Sequence, residues 1–363
     1  MSGGRSRRQV RPVREGSTIV IFQTAFPGDV VLTLPLAQGL KRLQPGCSVS
    51  MVVIPKAAEL LQNHPDISEI IVYDKRRADA GVAGFWRLAK ELRSRRFDVA
   101  LIPHRSFRSA ALATAARVPR RIGFDTSAGR FLLTDTVRYE QSIHEIGRNA
   151  SLVTPLVGKP LVTELPSLFP SDEDRIIVDD HISEKSVDPT TPMVGIAPGS
   201  VWNTKRWLEE RFRELIMMSV GAGYRVILIG GSEDKPLCER LRSATDAAKV
   251  CSMAGKLTLL QSAEAIRRCA ALVSNDSAPM HLAVAMRTPV VAVFGPTIPG
   301  FGFAPNGKHD RIVQIDGLPC RPCSIHGGDT CPIGTFDCMV KIRATEVFDA
   351  VQEVINGAGT STP

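Results

Sequence analysis

A two-domain α/β protein, each domain built on a doubly wound parallel sheet, is what this chain predicts, and three observations lead there. Short apolar, β-rich runs alternate with amphipathic helical stretches through both halves, a pattern that calls for right-handed βαβ crossovers. The length of 363 residues suits two such domains, each with its own core. Near the middle, Pro155 to Pro192 is rich in Pro, Asp, Glu, Ser and Thr, and Pro160, Pro166, Pro170 and Pro189 interrupt regular structure there.

In order, the first half reads as strands near Thr18–Phe22, Ser48–Ile54, Glu69–Tyr73 and Asp98–Ile102. Helical periodicity fills the gaps over about Val30–Leu43, Ala57–Asn63, Val82–Ser94 and Ser106–Arg117. After a helix near Asp172–Glu184, the second half places strands near Met193–Ala197, Arg225–Ile229, Ala271–Ser274, Val290–Phe294 and Arg311–Ile315. Its helices cover about Leu208–Val220, Lys235–Ser243, Thr258–Cys269, Ser277–Met286 and Thr345–Asn356. The domains expected are a basic flexible arm over 1–16, a first domain over 17–165, a linker over 166–192, a second domain over 193–343 and a C-terminal helix and tail over 344–363.

Composition narrows the class. Hydrophobic content of 44% with 23% charged residues is that of a soluble globular protein. No apolar run approaches a membrane span and no hydrophobic signal segment opens the chain, so a cytoplasmic protein is expected. Residues 1–165 carry 25 Lys and Arg against 14 Asp and Glu, a net of +11, while 166–363 carry a net of −3. A basic first half suggests an anionic partner there, and the arginines of the arm could add contact with an anionic membrane surface. Aromatics make up 6% with no basic–aromatic interleaving, which disfavours nucleic acid. Cys320, Cys323, Cys331 and Cys338 cluster near His326, but their spacing is not a standard zinc pattern. Reduced thiols or a labile disulfide, without a structural metal, are expected.

Four loops at strand ends carry the chemistry-bearing residues. In Thr24-Ala25-Phe26-Pro27-Gly28-Asp29, the aspartate sits at a helix start, where by itself it reads as a cap. The loop lacks the dinucleotide glycine pattern and the Walker lysine, which disfavours a nicotinamide enzyme or a P-loop ATPase. Pro198-Gly199-Ser200 leads through Thr204 to Lys205 and Arg206, hydroxyls and cations suited to phosphate oxygens unless merely solvated. Gly230-Gly231-Ser232-Glu233-Asp234 offers carboxylates for ribose hydroxyls, or a tight turn with an acidic cap. Asp276-Ser277-Ala278-Pro279-Met280-His281 follows a buried strand, with Ser277 as N-cap and the helix dipole suited to a diphosphate. His281 reads slightly better as a satisfied core histidine than as a ligand.

Three blocks in this order resemble glycosyltransferase family 9, the heptosyltransferases of the lipopolysaccharide inner core. They are Pro27-Gly28-Asp29-Val30-Val31-Leu32-Thr33-Leu34-Pro35, then Pro198-Gly199-Ser200 with Thr204-Lys205-Arg206-Trp207, then Asp276 to Ala283 with Pro289 to Thr297. The match runs over roughly residues 17 to 355. Ala278 and Ile298 depart from the family pattern, where glycine and an acidic or polar residue are usual.

The resemblance implies a GT-B fold, two Rossmann-like domains facing across a cleft, with acceptor on the first and nucleotide sugar on the second. It implies an inverting, metal-independent transfer from ADP-heptose to a lipopolysaccharide core acceptor, with no cofactor. Asp29 would be the general base and Lys205 would stabilise the leaving diphosphate. Ser200, Thr204, Glu233, Asp276, Ser277, Ala278, Met280 and His281 would contact the donor, and Arg105, Arg108, Arg120 and Arg121 the acidic acceptor. A relative using another nucleotide sugar or acceptor, or a nucleotide-sugar-binding protein without turnover, are the alternatives at this stage.

Overall fold

The structure, a computed structural model, describes residues 15–183, 191–245 and 249–359. The basic arm, apart from its last two residues, lies outside them. The described chain forms two compact units. One takes the residues up to Ala58 together with His64–Glu164, and the other takes Glu59–Asn63 and everything from Leu165.

The first unit runs β1 (Thr18–Gln23), α1 (Pro27–Leu43), β2 (Ser48–Val53), α2 (Pro55–Ala58), β3 (Glu69–Val72), α3 (Gly81–Ser94), β4 (Val99–Ile102), α4 (Phe107–Ala115), β5 (Arg120–Phe124), β6 (Asp135–Val137), α5 (Glu145–Ser151) and α6 (Thr154–Val157). All strand pairs are parallel and the order is β3-β2-β1-β4-β5-β6. β1 and β2 are buried at five of six positions each, as expected of strands covered on both faces. The first helix starts at Pro27, earlier than the expected Val30, because Pro27 supplies a preset φ at a position whose N–H has no helical partner. The expected helix over Ala57–Asn63 is instead the short α2 followed by a 3-10 turn at Glu59–Leu61.

The second unit begins with α7 (Asp172–Ser183) and continues β7 (Met193–Ala197), α8 (Glu209–Gly221), β8 (Arg225–Leu228), α9 (Lys235–Ser243), β9 (Val250–Ser252), α10 (Leu259–Arg267), β10 (Ala271–Asn275), α11 (Ala278–Ala285), β11 (Val290–Phe294), β12 (Arg311–Gln314), α12 (Asp337–Val340) and α13 (Ala344–Gly359). Its parallel strands are ordered β12-β11-β10-β7-β8-β9. With β7 in the place of β1, this is the same doubly wound order as in the first unit. Trp207, Phe212, Leu215, Val273, Val293, Ile342 and Val351 belong to its core. Val20, Phe22, Tyr73, Leu88, Ala100 and Leu112 share a core cluster in the first unit. Truncating one of the buried leucines, such as Leu215, would cost about 2–5 kcal/mol.

This shared order places the functional loops. Winding reverses beside the first strand of each unit, leaving a crevice at the carboxyl ends of β1 and β4, and of β7 and β10. The loops carrying Asp29 and Arg105 follow β1 and β4, and those carrying Lys205 and Asp276 follow β7 and β10.

Candidate active site

In the second unit, the loops after β7 and β10 meet through charge. Lys205 Nζ lies 2.6 Å from Asp276 Oδ2, with only 12% and 9% of the two side chains exposed. Thr297, just past β11, donates its hydroxyl to the same oxygen at 2.7 Å. One carboxylate thus holds a cation and a hydroxyl from three strand ends. An ammonium has three donors, so Lys205 can keep Asp276 and still offer donors to an anion.

The surrounding backbone is fixed by buried polar side chains. Asn275 accepts from Trp207 N at 3.1 Å and donates to Pro198 O at 2.9 Å, tying the end of β10 to the loop after β7. Trp207 is packed in the core, donating Nε1–H to Ile342 O. Thr204 is clipped to Gly328 in both directions: its N–H and hydroxyl donate to the carbonyl, and its Oγ1 accepts from the amide at 2.8 Å. Arg321 donates to the carbonyls of Gly295 and Thr297, bracing the loop after β11. The cysteine-rich segment therefore serves as a brace for the donor-side loops. All eight cysteines are free thiols. Cys323, Cys331 and Cys338 line a cavity of about 80 Å3 beside Thr204.

Asp234, read from the sequence as a ribose contact or an acidic cap, organises the third loop. Its Oδ2 accepts from Gly231 N at 2.9 Å. A Cβ at Gly199 would stand 2.1 Å from Asp234 Oδ1, and one at Gly230 2.6 Å from its Cβ. Glycine at those two positions makes room for this carboxylate. Glu233 is exposed beside it and accepts from the Ser232 hydroxyl.

Ser277 occupies the N-cap position of α11, yet its hydroxyl makes no capping bond. It lies 3.4 Å from Ser274 Oγ and 3.5 Å from Gly199 O. Ser200 and Ala278 are half-buried at the same strand ends. Met280 is fully buried, its N–H donating to Ser277 O at 3.2 Å, and His281 is buried on the same helix.

In the first unit, Asp29 is half-buried in the first turn of α1, where its Oδ2 accepts from Phe26 N at 3.1 Å. Thr33 Oγ1 donates to Asp29 O at 2.8 Å and receives Nε2 of the buried Gln23 at 3.0 Å. Asn149 on α5 donates to Leu32 O, so β1 and α5 together hold this turn. Across the crevice, His104 Nδ1 lies 2.9 Å from Thr24 Oγ1, and Lys75 donates to Thr24 O. Burial, aided by Lys75 and Arg105, pushes the His104 pKa down to about 4, so the ring is neutral near pH 7.

The four arginines expected to hold an acceptor separate. Arg105 is exposed at the carboxyl end of β4, its guanidinium 4.2 Å above the centre of the Tyr139 ring. Arg108 is half-buried and donates to Asp79 O and Gly81 O, joining α4 to the segment before α3. Arg120 and Arg121 open β5, at the opposite end of the sheet from Asp29. Arg120 pairs with Asp135 at 3.3 Å and donates to Pro155 O, while Arg121 donates to the carbonyls of Leu132 and Val118. The structure brings Arg105 to the Asp29 end and leaves Arg120 and Arg121 away from it.

Sequence reasoning missed the group behind Arg105. Glu145 pairs with Arg148 at 2.9 Å, with 10% and 2% of their side chains exposed. Burial raises the Glu145 pKa, Arg148 opposes that, and the charge of Asp29 adds to it. Both lie on α5, and Tyr139 just past β6, so only the folded chain reveals their proximity to Arg105.

Comparison with known proteins agrees with this arrangement. The sequence profile of glycosyltransferase family 9 (heptosyltransferase) matches residues 85–328. The chain is 27% identical over 310 residues to lipooligosaccharide heptosyltransferase 2 of Haemophilus influenzae, covering 82% of this chain and 89% of that protein. The crystal structure of a family 9 glycosyltransferase from Veillonella parvula superposes with a TM-score of 0.86 at 23% identity, covering 96% of this chain and all of that one. The E. coli ADP-heptose lipopolysaccharide heptosyltransferase II superposes with a TM-score of 0.77 at 24% identity, covering 94% and 99%. The α/β fold is therefore the GT-B fold of those enzymes, and the chain belongs to glycosyltransferase family 9, the heptosyltransferases.

Proposed function

We propose that this chain transfers a heptose from ADP-heptose to a lipopolysaccharide inner-core acceptor, inverting the anomeric centre. The observation that carries the reading is the Lys205–Asp276–Thr297 group at the carboxyl ends of the second sheet, beside the start of α11. It sets a cation, hydroxyls and a helix N-terminus where the diphosphate of a nucleotide sugar would lie. The relatives' names supply ADP-heptose and the lipopolysaccharide acceptor.

In the reaction, the acceptor oxygen bonds to the anomeric carbon as the bond from that carbon to the phosphate oxygen breaks. Asp29 takes the acceptor proton, and ADP leaves with the bonding electrons. Lys205, with Ser200, Thr204, Ser277 and the Ala278 N–H, stabilises the charge gathering on the diphosphate. That fixed positive environment lets the step proceed without a divalent cation. Glu233 is the ribose contact, Asp276 orients both Lys205 and the donor sugar, and the buried Met280 and His281 support the first turn of α11 on the donor side. Arg105 is the cation for acidic sugars or phosphates of the acceptor.

We take 17–165 as the acceptor domain and 193–343 as the donor domain, with 166–192 between them; α7, within that segment, belongs to the second unit. No helix among the described residues is long and apolar enough to cross a membrane, and a cytoplasmic enzyme working at the inner membrane surface suits this acceptor. The test is incubation with ADP-heptose and heptose-deficient core acceptor, with and without chelator. Release of ADP, a product one heptose heavier and inverted configuration by NMR are expected in both arms. Donor binding without transfer to any core acceptor would overturn the enzymatic reading, and loss of transfer with chelator the metal-independent one.

A further inference from the structure

We infer that Tyr139 is a positioning residue for acceptor recognition: its ring fixes Arg105 in the orientation that receives the acidic group of the acceptor. The inference rests on the transferase reading and extends it to a residue outside the family blocks. Arg105 is exposed, with no carboxylate within salt-bridge distance among the described residues, and its guanidinium carbon lies 4.2 Å from the Tyr139 ring centre. A guanidinium over an aromatic face spends that face on the ring and keeps its in-plane N–H donors for an oxyanion. A free arginine would lose rotamer freedom on binding, and a stacked one has already lost it.

The ring is itself held from several sides. Arg148 lies 4.8 Å from the ring centre and donates to the Tyr139 hydroxyl at 2.7 Å. The hydroxyl donates to Glu145 Oε2 at 3.5 Å. Phe124 packs against the ring in a T-shaped contact with centres 5.1 Å apart, and the Tyr139 amide donates to Asp125 Oδ1 at 2.9 Å. The buried Glu145–Arg148 pair neutralises itself, so the cation presented outward is Arg105. Tyrosine suits this place because its face serves Arg105 while its hydroxyl satisfies the buried pair.

The experiment compares Tyr139→Phe, Tyr139→Leu, Arg105→Ala and the Arg105→Ala/Tyr139→Leu double variant. Binding of heptose-deficient core acceptor is measured by calorimetry without donor, alongside donor and acceptor KM. Because the binding arm needs no turnover, failure of the transferase reading leaves it interpretable. Tyr139→Leu should weaken acceptor binding about three- to tenfold and leave donor KM unchanged, while Tyr139→Phe, which keeps the ring face, stays within about twofold of wild type. In the Arg105→Ala background Tyr139→Leu should add nothing. Unchanged acceptor binding in Tyr139→Leu, an equal loss with and without Arg105, or parallel changes in both substrates with a lowered Tm would each overturn the inference. If Tyr139→Leu does not fold, Arg105→Lys decides: a loss matching Arg105→Ala supports the stacked guanidinium, and wild-type affinity refutes it.

Discussion

The two crevices share a topology and differ in how their charges are settled. At the ends of β7 and β10, Lys205 and Asp276 are already paired and Thr297 completes the set. At the ends of β1 and β4, Asp29 is anchored by the Phe26 N–H and Arg105 rests on a ring, with no ion pair between them among the described residues. The second crevice thus holds a balanced charge set, which on the proposed reading an incoming diphosphate would rearrange. The first holds a half-buried carboxylate and an exposed guanidinium, the base and the acceptor cation of the proposed reaction. The difference teaches that strand order fixes where ligands can bind, while the side chains at each switch point set what that place can do; on the proposed reading one grips a leaving group and the other activates a nucleophile.

The comparison breaks most sharply at the base. Asp29→Asn should lower kcat by about two to four orders of magnitude, read by steady-state ADP release. Near wild-type turnover would leave Asp29 as a helix cap only. Next in size, Lys205→Ala should lower kcat/KM for the donor by about 10- to 1000-fold, since the lost ammonium acts most on the departing diphosphate. Thr297→Val should cost far less, because Asp276 keeps Lys205.

Arg105→Glu should raise acceptor KM by about tenfold or more, an effect that shrinks in high salt. The Arg120→Glu/Arg121→Glu variant should instead lower Tm, with little change in acceptor KM in the protein that folds, because these side chains hold Asp135 and backbone carbonyls. A selective rise in acceptor KM there would restore them as acceptor contacts.

The smallest effect concerns pH. The unfolded chain protonates His104 near 6.5 but the native state only near 4, so the unfolded state binds the proton first as pH falls. Stability contributed by the neutral ring is full above about 6.5 and declines by up to about 1.4 kcal/mol per pH unit toward 4. Urea midpoints of His104→Gln should fall less steeply over that window than wild type. Equal slopes would show that the native ring protonates as readily as the unfolded one. His64, also pushed to about 4 by burial, keeps part of the slope in both proteins.

Much of this was legible in the sequence, and unevenly. The strands Met193–Ala197 and Val290–Phe294 have their expected limits, because buried parallel strands read as unbroken apolar runs. β5, β6 and β9 were missed: β5 opens with two arginines, and β6 and β9 have three residues each. α5 hid behind Gly147 and its short length. The loops of the second site could be found because glycines, hydroxyls and cations stand together in sequence. The polar partners that set their geometry could not, since Asp234, Asn275 and Arg321 act across loops. The same holds for the support of Arg105, assembled from residues 34 to 43 positions further along the chain.

The division of labour between the crevices is tested most directly by calorimetric binding of ADP-heptose to wild type, Asp29→Asn and Lys205→Ala side by side. The account predicts wild-type donor affinity in Asp29→Asn and weakened affinity in Lys205→Ala. Donor affinity lost on changing Asp29 and kept on changing Lys205 would contradict it.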